Sequence, residues 1–336
     1  MNHIHNTHFL RAAHLRKSFF LTLTFFCFAN THADEETQNQ LATPNSGLSI
    51  FDTQLLKNPE TPRSFFWPQF ASFILPGFDQ WLEGQVPAGL FYSGIALGGL
   101  GAASYAQSQY TMSANPKLAT ESNPERTYLL GMQLTMAAGG MSAYASFRSA
   151  VHSQKIAGNF LFLKSEETVG DLLLAPFKFR EVLKPSSYVP LLLALVLIAT
   201  PTESAGRLTF SDVFFTSAFS LNAGTHEEAV FRGWLMPIGM HYMDNRFLSN
   251  AAQAGIFGAM HISKENPYPI FQTLMGFYLG HLTQRNQWTL TQSVFVHTWW
   301  DIVLFGGSYF HNRIRSSKGL ATREIFLPFP PVALVF

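Results

Sequence analysis

The stretch His226-Glu227-Glu228-Ala229-Val230-Phe231-Arg232-Gly233 sets two adjacent carboxylates and an arginine in one of the most apolar parts of the chain. Phe214-Phe215 lies upstream of it and Trp234-Leu235-Met236 downstream. Charge in such surroundings restricts the fold, because a buried ion is tolerated only when paired. The pattern predicts that 210–240 is largely helical. On that helix Glu228 and Arg232 are four residues apart, share a face and can pair directly. Glu227 points about 100° away, at about 3.6 residues per turn, and stays outside that pair. In a soluble protein two such glutamates would usually form the polar face of a surface helix. With these apolar flanks the functional reading is preferred, and Glu227 becomes a candidate general base.

Composition defines the class of protein around this stretch. Charged residues make up 13% of the 336, aromatic residues 15% with 33 Phe, and the apolar residues gather in several long blocks. We therefore expect an all-α fold, a polytopic transmembrane helical bundle in contact with the lipid bilayer. The net charge of +1 offers no excess of cations for phosphate neutralisation, so nucleic acid is not expected as a partner.

Residues 1–33 carry Arg11, Arg16 and Lys17, then an apolar run at 19–28, then Thr31-His32-Ala33, and read as a signal peptide or an N-terminal anchor. The only cysteine, Cys27, falls there, which removes disulfides and cysteine-nucleophile chemistry from the mature chain. A polar linker follows at 34–63. An N-terminal membrane hairpin module at 64–150 contains an interfacial or re-entrant piece (64–77) and two spans (88–106 and 127–147). Gly94 and Gly98 have the spacing that lets helices approach closely. An interfacial linker with Lys155, Lys164, Lys178 and Arg180 occupies 151–185. Its basic residues favour the cytoplasmic side, whereas two spans after an exported segment return it to the outside, so the orientation stays open. The segment 186–310 holds the remaining apolar blocks, and 311–336 is a C-terminal tail.

Two further polar constellations sit in apolar blocks of that last large segment. Phe257-x-x-x-His261 puts an aromatic and a histidine on one helical face, and His297-x-x-x-Asp301 does the same with a histidine and a carboxylate. A lone histidine in an apolar helix is usually a packed core group. Three polar constellations in one module favour a site instead. His241 and His281 lie off these positions and read as packed residues, as do Trp299 and Trp300.

In that order, Glu227-Glu228-x-x-x-Arg232, Phe257-x-x-x-His261 and His297-x-x-x-Asp301 resemble the motifs of the CPBP family, the intramembrane CAAX-type proteases and bacteriocin-processing proteins also called Abi. Gly276-x-x-x-Gly280 and Thr289-Leu290-x-x-Ser293 fit the same pattern. The resemblance covers about 188–310 and implies a helical bundle of about six helices, similar to the type II CAAX prenyl endopeptidases. It implies that Glu227 activates water with help from His261, that His297 and Asp301 stabilise the oxyanion, and that Glu228 and Arg232 fix the helix and its electrostatics. The prenyl proteases usually have Asn at the position of Asp301, and an ionised Asp cannot donate to an oxyanion. Metal-free catalysis is the preferred reading. Zinc held by Glu227, His261, His297 and Asp301, which would make the protein a metalloendopeptidase, is the alternative, although no His-Glu-x-x-His helix is present. The expected partner is a membrane-associated protein or peptide substrate. A non-catalytic peptide-binding or immunity protein on the same fold is the competing function, and a proton-carrying transporter is a third.

Overall fold

The structure, a computed structural model, describes residues 62–111, 123–198, 208–263 and 266–317. The expected signal segment, nearly all of the polar linker and most of the C-terminal tail lie outside these residues. Among the described residues every regular element is helical. In order they are α1 (Trp67–Ile74), α2 (Phe78–Leu82), α3 (Val86–Thr111), α4 (Asn123–Ile156) and α5 (Val169–Leu174), then the short 3-10 turns Ala175–Phe177 and Phe179–Leu183. After these come α6 (Pro185–Ile198), α7 (Phe210–Glu228), a π-helical segment (Ala229–Leu235), α8 (Met236–Met243), α9 (Arg246–Ala259), α10 (Ile270–Arg285) and α11 (Thr291–Ser317).

Segment 64–77 is too short to cross a bilayer. Its helix α1 has eight residues, against the ~20 a span requires. The chain reverses at Pro76-Gly77, where Gly77 adopts φ 93°, a conformation open to glycine at no steric cost, and its N–H donates to Ser142 Oγ at 2.8 Å. Polar groups hold this reversal against α4. Asp79 accepts from Arg63 at 2.9 Å and from Ser146 Oγ at 2.5 Å, and Gln80 bonds both the carbonyl and the hydroxyl of Ser142.

Among the described helices, residues 86–109 are long and apolar enough to cross a membrane. At ~1.5 Å per residue the 26 residues of α3 reach about 39 Å, more than the hydrocarbon core demands. The other apolar blocks of the sequence also form helices, but they are shorter or diluted by polar side chains. The all-helical expectation therefore stands, while passage through the membrane at those helices is not fixed by length and apolarity. Exposed apolar side chains are nonetheless widespread, with Leu90 and Leu97 on α3, Leu192 and Val196 on α6, Phe210 and Phe214 on α7, and Phe247 and Ile256 on α9.

The close approach of α3 and α4 does not use the expected glycines. A Cβ at Gly94 or Gly98 would meet nothing within 4 Å, whereas one at Gly99 would lie 2.5 Å from the Gly131 carbonyl, and one at Gly131 the same distance from the Gly99 carbonyl. Thr135 Oγ1 adds a bond to Ala96 O at 3.2 Å across the same contact. Spacing alone revealed small residues, not which face the partner helix covers.

Helix α4 is the central element. Its buried stripe includes Ala137, Ala138, Gly139, Gly140, Ser142, Ala143, Ser146 and Phe147. Small side chains there let other backbones come close: a Cβ at Gly139 would strike the Phe73 carbonyl of α1, and one at Gly140 would lie 2.9 Å from Val230 in the π segment. One apolar cluster joins Phe147 and Val151 of α4 to Phe160, Phe231, Trp234 and Phe257, and a second joins Tyr92, Tyr144 and Leu172 to Ala229, Leu290 and Val294. Residues of segments 64–150 and 186–310 therefore share these clusters, and α7 and the π segment, which carry the first polar motif, pack directly on α4.

Candidate active site

Helix α7 begins with a capping box, in which Thr209 Oγ1 accepts from the Asp212 N–H while the Asp212 side chain accepts from the Thr209 N–H. Arg126 of α4 reaches over to the same carboxylate at 2.6 Å. From this anchored start the helix runs inward to Glu227 and Glu228 and passes into the π segment. Such a segment carries an extra residue in its turn and is frequent at functional sites.

Glu228 and Arg232 are both wholly buried and pair as the four-residue spacing predicted, with Arg232 Nη1 2.8 Å from Glu228 Oε1. The other end of the guanidinium, Nη2, donates to the Gly276 carbonyl of α10 at 3.0 Å, and the group lies 4.4 Å over the ring of Phe257 on α9. One cation thus ties three elements. This also gives Gly276-x-x-x-Gly280 its physical reason. A Cβ at Gly276 would lie 2.9 Å from Phe257 and 3.2 Å from Arg232, and one at Gly280 would strike Asn250 and lie 2.6 Å from Gln253 Nε2. Those two amides complete the seam, Gln253 bonding Gly276 O at 3.0 Å and Asn250 bonding Phe277 O at 2.9 Å.

His297 on α11 meets this pair from the other side. Its Nδ1 lies 2.8 Å from Glu228 Oε1, and its Nε2 lies 3.7 Å from Glu227 Oε2 and 3.6 Å from Asp301 Oδ2. Because Glu228 is held ionised by Arg232 and an ionised carboxylate only accepts, Nδ1 carries the proton and donates. The opposite nitrogen then looks between two carboxylates that it does not touch at hydrogen-bond distance. Glu227 is the most accessible of these acids, its side chain 14% exposed against 0% for Glu228 and 10% for Asp301.

His261 ends its motif beside this group. Its Nδ1 lies 2.7 Å from the Phe257 carbonyl, so the N–H is on Nδ1 and, in the neutral ring, Nε2 is the accepting nitrogen. Its ring packs 4.6 Å from that of Phe257, which in turn lies 6.0 Å from His297. The structure therefore brings Glu227, Glu228, Arg232, His297 and Asp301 into one connected cluster, with His261 one aromatic ring away. His241, expected to pack, stacks on Phe160 at 4.7 Å, and Trp300 is buried against Phe271.

The spacing of α7 and α11 rests on a residue that the sequence did not single out. A Cβ at Gly224 would strike the Thr298 hydroxyl and lie 2.9 Å from the Thr298 backbone nitrogen and Cα. Gly224 thus lets the helix bearing the glutamates lie directly on the helix bearing His297. Gly224→Val is expected to cost about 1–3 kcal/mol through overpacking and to weaken any activity of the site. Thermal unfolding in detergent checks this, and a wild-type midpoint would mean that the spacing is set elsewhere.

Among the described residues no three His, Cys, Asp or Glu side chains are grouped so as to hold a metal ion. The four residues of the zinc set form no such grouping.

These elements define an all-helical protein with a buried acid–base cluster shared by two facing helices. Against known families, residues 209–303 match the model described as type II CAAX prenyl endopeptidase Rce1-like. The matched segment includes all six motif residues. Searches of curated proteins and of solved structures gave no match.

Proposed function

We propose that the protein is a multi-pass intramembrane endopeptidase of the glutamate-dependent CAAX type, which hydrolyses a peptide bond in a membrane-associated protein or peptide. The observation that carries this reading is the position of His297, held through Nδ1 by Glu228 while Nε2 faces Glu227 and Asp301. The export-type N-terminus read from the sequence supports a site of action in a membrane, which this reading takes to be the inner membrane of a bacterial cell. The exposed apolar side chains of α3, α6, α7 and α9 supply the lipid-facing surface that several crossings require.

In this mechanism Glu227 takes a proton from a water molecule, assisted by the accepting Nε2 of His261, and the water oxygen attacks the scissile carbonyl carbon. The carbonyl π bond breaks and leaves an oxyanion. His297, protonated on Nε2 as well, and Asp301 in its acid form donate to that oxygen. Collapse of the tetrahedral intermediate breaks the C–N bond, and the proton held by Glu227 passes to the departing amine. Glu228 and Arg232 do not react. They hold the Nδ1–H of His297 and the orientation of its ring.

Base, donors and orienting groups are all side chains of the chain, so exhaustive chelation is expected to leave cleavage unchanged. The check is purified full-length protein in liposomes with membrane-derived peptides, in ¹⁸O-labelled water, read by mass spectrometry. New carboxyl termini carrying the label, with and without chelator, are the expected result. Loss of cleavage on chelation, restored by stoichiometric zinc, would overturn the metal-free mechanism, and absence of labelled termini would overturn hydrolysis itself.

A further inference from the structure

Helix α11 carries His297 and Asp301, yet its N-terminus has no capping group of its own. The residue before Thr291 is Leu290, whose side chain has no oxygen to accept from the first N–H groups of the helix. By contrast α5, α7 and α9 are capped locally by Thr168, Thr209 and Asn245. The missing acceptor is supplied from the linker. Glu167 Oε2 accepts from the Leu290 N–H at 2.5 Å, and its Oε1 accepts from the Thr291 N–H at 3.1 Å and from Thr291 Oγ1 at 2.7 Å. The Glu167 carbonyl in turn accepts from the Tyr144 hydroxyl of α4 at 3.0 Å, which fixes the cap to the central helix. From the other side of the same turn, Gln292 Nε2 donates to Ser186 and Ser187 at 2.8 Å each.

We infer that Glu167 is a positioning residue for the proteolytic site: capping α11 from outside the family-matched segment, it fixes the helix whose next two turns hold His297 against Glu228. This inference rests on the proteolytic reading for its effect on rate, but not for its effect on α11. A negative charge at this point also meets the positive end of the helix dipole. Burial raises the Glu167 carboxyl above its ordinary range, while the Leu290 and Thr291 donors, together with Arg148, pull it back. The half-buried carboxylate is thus held by bonds to this one helix end. A linker carboxylate without such a role would be expected at the surface.

The test uses full-length protein in micelles, labelled with ¹⁵N-histidine, comparing wild type with Glu167→Ala and the milder Glu167→Gln. His297→Ala assigns the His297 resonances. Hydrogen exchange of peptides spanning 288–301 is followed in parallel. The inference expects a shifted or broadened His297 Nδ1 resonance and faster exchange in the first turn of α11, both larger for Ala than for Gln. Where cleavage is measured, kcat should fall about tenfold or more with KM little changed, because small displacements of catalytic groups carry large rate penalties. If Glu167→Ala does not fold, Glu167→Gln decides. Unaltered His297 resonances and exchange in a folded variant would overturn the inference. A wild type without proteolysis would count against the proposed function alone, since the resonance and exchange readouts do not depend on turnover.

Discussion

Replacing Glu227 by Gln is expected to slow peptide cleavage by about a hundredfold to ten-thousandfold, the usual weight of a positioned general base, while the protein stays folded. The substitution keeps the shape of the side chain and removes only its ability to take a proton. It should also be structurally mild. Glu227 is the most accessible acid of the cluster, and its nearest charged contact, to His297 Nε2, is 3.7 Å away. Steady-state kinetics and thermal midpoints on the purified variant check both halves of this expectation. A fall in rate accompanied by a large fall in midpoint would assign Glu227 to structure.

Arg232→Met is expected to do the opposite, costing about 3–5 kcal/mol of stability because it leaves the Glu228 carboxylate buried without its cation. The loss should spread through the site. Arg232 also bonds the Gly276 carbonyl and covers Phe257, so α7, α9 and α10 all lose a shared contact. Arg232→Lys should recover only part of the stability, since an ammonium cannot bond Glu228 and Gly276 with the same fork. The double variant Glu228→Gln/Arg232→Met removes both charges and should be more stable than Arg232→Met alone. It should still be inactive, because His297 loses the carboxylate that orients its ring and favours its protonated form. Unfolding midpoints across the set provide the measurement, and equal midpoints for the single and double variants would contradict a penalty arising from an uncompensated charge.

The geometry of the candidate site was largely readable where contacts follow local spacing. Glu228 with Arg232, and His297 with Asp301, are four residues apart, and helical geometry alone puts each pair on one face. Contacts made across the fold left weaker traces. The roles of Gly224 and of the Gly99–Gly131 contact depend on which helix face a neighbour covers, and Gly94 with Gly98 had the same local pattern without the contact. The π segment was hidden because the identical residues also fit a regular helix over 210–240. Glu167 stands far from Leu290 in the chain, and its one trace in the sequence is an apolar residue where a helix start calls for a capping oxygen. Membrane passage was the least legible from length and apolarity, since the apolar blocks after α3 are short or carry polar groups, those of the candidate site among them.

The most direct test of the central claim is comparative peptidomics of membranes from cells producing wild type or Glu227→Gln at equal abundance. Wild type should yield new carboxyl termini on membrane-associated proteins or peptides, absent with Glu227→Gln. Identical peptide pools, together with a Glu227→Gln protein that still fulfils the cellular role, would contradict proteolysis and leave a peptide-binding role on the same helices.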